Sequence, residues 1–266
     1  VLTTLDLASL VAFHDSRGAE ATIHLTEVAD PSAFGVVPTR DDGEVVAFVE
    51  KPPRDLAPTH WINGGTYVLE PSVLARIPER LTVSIERETF PRMLEEPSRL
   101  YAMTSDAYWI DIGTPEKYLQ AHTDVLGGAL GTVPVGDARE QSPGIWYQGG
   151  ATVDPDARVE APTIVGDGAV IGAGARVVGS VLGPDCVVGA GARVMRSVVH
   201  AGGHLAADAQ ALDSVMGPGA LLGVGAIVSD HTIMGAGAEL VAGARASGAR
   251  IRRPDPEGGA AGRTRG

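Results

Sequence analysis

VGDGAVIGAGARVVGSVLGPDCVVGAGARVMRSVVHAGGHL, residues 165–205, decides the architecture of the second half of this 266-residue chain. Large aliphatic residues recur through it at Val165, Ile171, Val177, Leu182, Val188, Val194, Val199 and Leu205. The pattern extends back to Val153 and Val159. It extends forward through Ala211, Met216, Leu222, Val228 and Met234 to Leu240. The step is six residues, with a five at intervals. Such a step fits neither the 3.6-residue period of a helix nor the two-residue alternation of a strand. It fits a triangular coil, in which each side is a short strand and each corner a tight turn with a small inward residue. Four residues after each large side chain comes a small or short one: Ala169, Ala175, Val181, Cys186, Ala192, Val198, Gly203, Ala209, Val215 and Ala220. These are expected to face inward. The five-residue steps shorten a coil to 17 residues, marked by Ser180, Ser197 and Ser214, each followed by valine. Cys186 falls on an inward position and reads as packing.

Composition bounds the rest. A formal charge of −12 argues against a broad nucleic-acid surface. A single cysteine excludes an internal disulfide and a cysteine-cluster zinc site, and suits a reducing compartment. No apolar run reaches membrane-spanning length. The first residues lack the basic and apolar regions of a signal peptide, so a cytoplasmic setting is expected. Aromatic residues lie mostly before residue 150, and small residues crowd in after it. The expected organisation is an α/β domain over residues 1–130, a linker over 131–150 holding Pro134 and Pro143, a coil repeat over 151–245, and a disordered tail over 246–266. Stacked coils bury continuous apolar columns, and their end coils are natural self-association surfaces, so a homo-oligomer is expected.

The repeat resembles the hexapeptide left-handed parallel β-helix. Proteins of that kind are often acyltransferases with a histidine base, which makes His200, His204 and His231 candidates. The repeat carries no long inserted loop to shape an acyl-donor site, and histidines at coil turns need no chemistry.

In the first half, residues 7–14 read as a helix with Leu7, Leu10, Val11 and His14 on one face and Asp6 as its cap. Residues 21–28, 65–69, 100–104 and 108–112 read as strands. Asp41-Asp42-Gly43 reads as a hairpin turn between apolar runs. Helices are expected over 71–77, from the cap Ser84 towards Leu94, and from Pro115 to about Val125. In Tyr108-Trp109-Ile110-Asp111-Ile112-Gly113-Thr114-Pro115 a lone carboxylate ends an apolar strand beside a helix start, with Thr114 as cap and Pro115 in the first turn. Asp111 is there either a solvated turn residue or a ligand holding a metal ion against a phosphate.

Five segments occur in order: Phe34-Gly35-Val36-Val37, Phe48-Val49-Glu50-Lys51-Pro52, residues 62–67 (INGGTY), residues 83–91 (VSIERETFP), and residues 109–115 (WIDIGTP). Followed by the coil repeat, this set resembles the sugar-1-phosphate nucleotidyltransferases, most of all the bacterial mannose-1-phosphate guanylyltransferases. The resemblance implies a Rossmann-like nucleotidyltransferase domain, here partial, followed by the β-helix. It implies attack by a sugar 1-phosphate oxygen on the α-phosphorus of a nucleoside triphosphate, with pyrophosphate leaving. Catalysis is then positioning and charge neutralisation.

By the same resemblance Lys51 contacts the sugar phosphate and Glu50 the sugar hydroxyls. Asn63, Gly64 and Gly65 pass close to the sugar, with Gly35 in a similar role, and Glu86 contacts the sugar. Asp111 is one of two aspartates that hold Mg²⁺. Without the resemblance these residues read as a surface lysine, a salt-bridging carboxylate, a strand-start turn and a first-turn helix acid. The family's glycine-rich triphosphate loop and its second metal-binding aspartate are not in these 266 residues. Val1-Leu2-Thr3 looks like the residues after that aspartate, so the chain is expected to begin mid-domain, to expose an apolar sheet edge, and to lack nucleotidyl transfer by itself. Glucose 1-phosphate with UTP or dTTP is the alternative substrate pair. A non-catalytic regulatory homologue and a bare oligomerisation module are the alternative classes.

Overall fold

The structure, a computed structural model, describes residues 1–95, 99–131 and 136–253. The chain divides into two compact units, Val1–Ile110 and Asp111–Gly266. No helix among the described residues is long and apolar enough to cross a membrane.

In the first unit, β1 (Leu2–Thr3) pairs antiparallel with β7 (Trp109–Ile110). A five-stranded sheet runs in the order β4 (Val49–Glu50), β3 (Gly35–Val36), β5 (Trp61–Leu69), β2 (Ala21–Glu27), β6 (Leu100–Thr104). Only the β2–β6 pair is parallel. Strand β2 is central, and its alternation divides two environments. Ala21, Ile23 and Leu25 enter an apolar core with Val37, Val73, Phe90 and Leu100. On the other face Thr22 Oγ1 meets His14 Nδ1 at 2.9 Å, and His24 Nε2 meets Ser105 Oγ at 2.8 Å. These pairings offset the cost of burying the groups, while His24 Nδ1 stays buried without a hydrogen-bond partner.

Helix α1 (Leu7–Arg17) is capped by Asp6, whose Oδ1 accepts from Ala8 N at 3.0 Å. It buries Leu10 and His14, but leaves Leu7 60% and Val11 45% exposed. The four residues of that one helical face split between a buried stripe, Leu10 and His14, and an exposed flank, Leu7 and Val11. One edge of the sheet, that of β6, is covered. Beside β6, Ala102 N donates to Gly43 O and Val45 N to Leu100 O, so the hairpin around residues 41–43 covers that edge. Exposed apolar side chains of this unit include Val1, Leu7, Val11 and, next to the hairpin, Val46. Helix α2 (Pro71–Leu74) is shorter than expected, and α3 (Phe90–Glu95) follows a single π-type turn, Ile85–Thr89.

The second unit opens with helix α4 (Pro115–Leu126), capped by Thr114 through Lys117 N at 3.2 Å. Next come β8 (Arg139–Ser142) and β9 (Ile145–Tyr147), an antiparallel hairpin. Strand β9 pairs in parallel with Thr163–Val165, so the solenoid starts inside the stretch expected to be linker. It also outlasts residue 245. Arg245–Ser247 and Arg250–Ile251 pair with the preceding coil, where a disordered tail was expected. Pro134, and residues 254–266 of that tail, lie outside the described residues.

Three sheets of six, six and eight strands form the solenoid sides, and all pairs but β8–β9 are parallel. Ile171, Val177, Leu182, Val188, Val194, Val199, Leu205, Met216, Leu222 and Val228 fill the interior at 0–1% exposure. Cys186 packs among them as expected, and burial pushes its thiol pKa up.

One set of inward positions differs from expectation. Ser180, Ser197 and Ser214 point inward at 0–1% exposure, and Val181, Val198 and Val215 after them point out. In a five-residue step the corner loses one residue, and the small inward slot shifts back to the serine. The serines form a ladder. Ser197 N donates to Ser180 Oγ at 3.1 Å and Ser214 N to Ser197 Oγ at 3.0 Å. Ser197 Oγ donates in turn to Met195 O at 2.8 Å. Each hydroxyl thus satisfies backbone groups that the shortened corner leaves over. Ser197→Ala orphans a buried N–H and is expected to cost about 1.5 kcal/mol, within the 1–3 kcal/mol range for such losses. Urea unfolding of the variant against the parent measures it, and an unchanged midpoint would contradict the ladder.

The outward valines form a surface of their own. Leu119 of α4 packs on Val198 and Val215, with Tyr118, Val181 and Ile233 around it. The apolar face of α4, expected with the first domain, lies against the solenoid. Tyr118 OH is hydrogen-bonded to His200 Nε2 at 3.2 Å, and burial lowers the His200 pKa. Among the histidines raised as acyl-transfer bases, His200 is engaged by this packing. His204 lies in a strand, and His231 sits at a left-handed turn, φ 59°, beside Asp230.

Candidate functional site

Three neighbouring strands bring the site together. Gly35 on β3 pairs directly with Glu50 on β4, and Val36 pairs with Ile62 beside Asn63 on β5. Lys51 follows β4 in a left-handed conformation, φ 48°, its N–H donating to Phe34 O at 3.0 Å. A non-glycine residue at positive φ is uncommon and often marks a site under constraint. Gly35 is required by contact: a Cβ there would lie 2.7 Å from the Phe48 ring and 3.2 Å from Glu50 Oε2.

The wall opposite is the turn 84–88, which its own ends pin. Ser84 Oγ accepts from Arg87 N at 3.3 Å, and Ser84 N donates to Glu88 Oε1 at 3.2 Å. This reciprocal cap presents Glu86 and Arg87 outward from a π-type turn, a geometry common at functional sites. Together these elements line a pocket of about 330 Å³ that holds Phe34, Gly35, Glu50, Lys51, Asn63, Ser84, Glu86 and Arg87.

Asn63 is the hub of the pocket floor. Its Nδ2 donates to Glu86 Oε1 at 2.6 Å and to Tyr67 OH at 2.7 Å, and its Oδ1 accepts from Gly65 N at 2.9 Å. Tyr67 OH donates to Glu86 Oε1 at 3.3 Å. Burial, above all, pushes the Tyr67 pKa up to about 12, so the phenol keeps its proton. Glu50 Oε1 lies 3.4 Å from Arg87 Nη2 and 4.0 Å from Lys51 Nζ, and Glu50 Oε2 is buried without a hydrogen-bond partner. Tyr67 and Arg87 join the pocket although nothing in their local sequence marks them as site residues. Their signal is structural, because strand β5 and the turn meet only in the fold.

The structure thus gathers Gly35, Glu50, Lys51, Asn63 and Glu86 into one pocket. Gly64 and Gly65 do not line it. A Cβ on Gly64 would lie 2.5 Å from His24 Nδ1, so this glycine lets β5 pass over a buried histidine. Its carbonyl accepts from Trp109 Nε1 at 2.9 Å. Gly65 takes φ 72°, where β2 and β5 slip register between Ile23 and Leu25. Asp111 lies in the second unit, one residue past the end of β7 rather than inside a strand. It is exposed, and its Oδ1 accepts from Gly113 N at 3.1 Å. Among the described residues no group of three histidine, cysteine or acidic side chains is arranged to hold a metal.

Residues 1–127 match the family model described as nucleotidyl transferase. The chain is 40% identical to a mannose-1-phosphate guanylyltransferase of Mycobacterium tuberculosis over 68% of its length and 50% of the relative's. It is 45% identical to a probable mannose-1-phosphate guanylyltransferase 3 of Arabidopsis thaliana, over 45% of the chain and 35% of the relative. A mannose-1-phosphate guanyltransferase of Schizosaccharomyces pombe is 44% identical over 45% of the chain and 32% of the relative. The chain therefore spans half the length of the mycobacterial relative and about a third of the other two.

Proposed function

We propose, from the match of residues 1–127 to the nucleotidyl transferase family model, that the pocket of the first unit binds a sugar 1-phosphate, mannose 1-phosphate in the first instance, for nucleotidyl transfer that yields GDP-mannose. One observation carries the reading. A cation and an acid from the end of β4, an amide from β5 and an acid from the pinned turn converge on one pocket.

In the proposed reaction an oxygen of the sugar phosphate forms a bond to the α-phosphorus of the nucleoside triphosphate. The bond from that phosphorus to the β-phosphate oxygen breaks, and pyrophosphate carries away the electron pair. Lys51 neutralises the sugar phosphate as a compact point charge. Glu50 and Glu86 accept sugar hydroxyls, and Asn63 holds Glu86 in place. None of these residues exchanges a proton with the substrate, so their contribution is orientation and charge.

Mg²⁺ belongs to the reading through Asp111. Its exposed carboxylate suits an ion that takes one or two carboxylates and fills its other positions with water and phosphate oxygens. When bound, the ion neutralises charge between the reacting phosphates. The reading also includes a homo-oligomer built through the solenoid, and a cytoplasmic setting suited to the lone buried thiol of Cys186.

Calorimetry with mannose 1-phosphate and glucose 1-phosphate tests the proposal. The mannose compound is expected to bind more tightly, and Lys51→Gln to weaken it at least about tenfold, the scale of one charge-assisted contact. Equal affinity for both sugars would remove the mannose assignment. Indifference to Lys51→Gln would remove the pocket.

A further inference from the structure

Two cations share one carboxylate oxygen in the pocket. Glu50 Oε1 faces both Arg87 and Lys51, while Glu86 is engaged on the floor by Asn63 and Tyr67. The Lys51 and Arg87 side chains are 57% and 63% exposed, so neither pairing is worth much in stability. Both cations are therefore held near one point and free to turn to a stronger partner. Their backbones are well placed for this: Lys51 by its left-handed φ of 48°, Arg87 by the reciprocal Ser84–Glu88 cap. With one carboxylate between two cations, this side of the pocket keeps one surplus positive charge.

We infer that Arg87 is a second ligand for the bound phosphate, and that Glu50 parks Arg87 and Lys51 until the anion takes them. The inference rests on the sugar 1-phosphate reading for the identity of the anion. A guanidinium fork offers two parallel donors to phosphate oxygens, which an ammonium cannot match. Once the cations leave, Glu50 Oε1 becomes a free acceptor at the place where a sugar hydroxyl would arrive. Anion and hydroxyl recognition are then coupled through one carboxylate, and a ligand carrying both groups is favoured over either alone.

Calorimetry on the full chain with inorganic phosphate, mannose 1-phosphate and mannose tests this. Arg87→Gln is expected to weaken inorganic phosphate and mannose 1-phosphate about tenfold each and to leave mannose unchanged. Glu50→Gln is expected to tighten inorganic phosphate about two- to fivefold, since it releases the parked cations, while weakening mannose 1-phosphate. A purely structural role for Glu50 would not move the two ligands in opposite directions. Unchanged phosphate affinity in Arg87→Gln, or no phosphate binding by the parent chain, overturns the inference. If phosphate binds through Arg87 but mannose 1-phosphate binds no better, the two-cation seat stands and the sugar 1-phosphate reading fails.

Discussion

Gly183→Ala is expected to lower the melting temperature of the solenoid unit by about 6–12 °C, the consequence of about 3 kcal/mol of overpacking in a unit of this size. Gly183 follows the interior Leu182 and does not sit at positive φ, so conformational freedom is not its reason. A Cβ there would lie 2.7 Å from Ala201 N, 3.0 Å from His200 C and 3.2 Å from Val199 O. All three are backbone atoms of the next coil, and Gly183 N already donates to Val199 O at 2.7 Å. A methyl group can fit only if neighbouring coils part, which weakens parallel pairing on that side. Gly225 is the matched control. It takes φ 64° at a corner, and a Cβ would meet nothing within 4 Å. One coil earlier the same corner is Asp208, φ 60°. Gly225→Asp is therefore expected to cost no more than about 1 kcal/mol, the left-handed penalty that aspartate partly escapes. Thermal melts of the two variants separate close approach from backbone freedom. Similar losses in both would show that the inter-coil contact does not set the stability.

These two kinds of glycine explain what could be read in the repeat. The aliphatic columns were legible because an interior that repeats every side imposes one residue type at one spacing. Counting four residues on from each large side chain found Ala169, Cys186 and Ala192 correctly. It failed at Val181, Val198 and Val215, because a shortened corner moves the inward slot to serine without altering composition. The same valines then become the seat of α4, a tertiary event that no local spacing announces. In the first unit the ordered segments pointed to one pocket, and Gly35, Glu50, Lys51, Asn63 and Glu86 do line it. Tyr67 and Arg87 entered only through the fold. Tyr67 reaches Glu86 from 19 residues away and Arg87 reaches Glu50 from 37, and sequence distance carries no record of either meeting. Gly64 lies outside the pocket lining, and on its Cβ side a buried His24 ring leaves no room for a side chain.

Asn63→Asp is expected to be strongly destabilising, although it alters the side-chain shape hardly at all. Asn63 is 7% exposed, and its Nδ2 sits 2.6 Å from Glu86 Oε1. Replacing that donor by a carboxylate oxygen brings two acids together where one hydrogen bond had been. Two carboxylates at such a distance do not both ionise, so one keeps a proton and its pKa rises well above the usual carboxylate range. In the unfolded chain both acids titrate near pH 4. Between that pH and the raised value the folded variant binds the extra proton, so its stability falls as pH rises through this window. The deficit against the parent is expected to reach about 3–5 kcal/mol at neutral pH, the scale of an uncompensated buried charge, and to be small at about pH 4. Adding Glu86→Gln restores one amide and one acid with their places exchanged, and the double variant should recover most of the loss. Urea unfolding of the two single variants and the double variant at both pH values gives the coupling directly. A deficit that is the same at both pH values, or that persists in the double variant, would mean that Asn63 acts through Gly65 N–H and Tyr67 OH and that the floor of the pocket is not an Asn63–Glu86 unit.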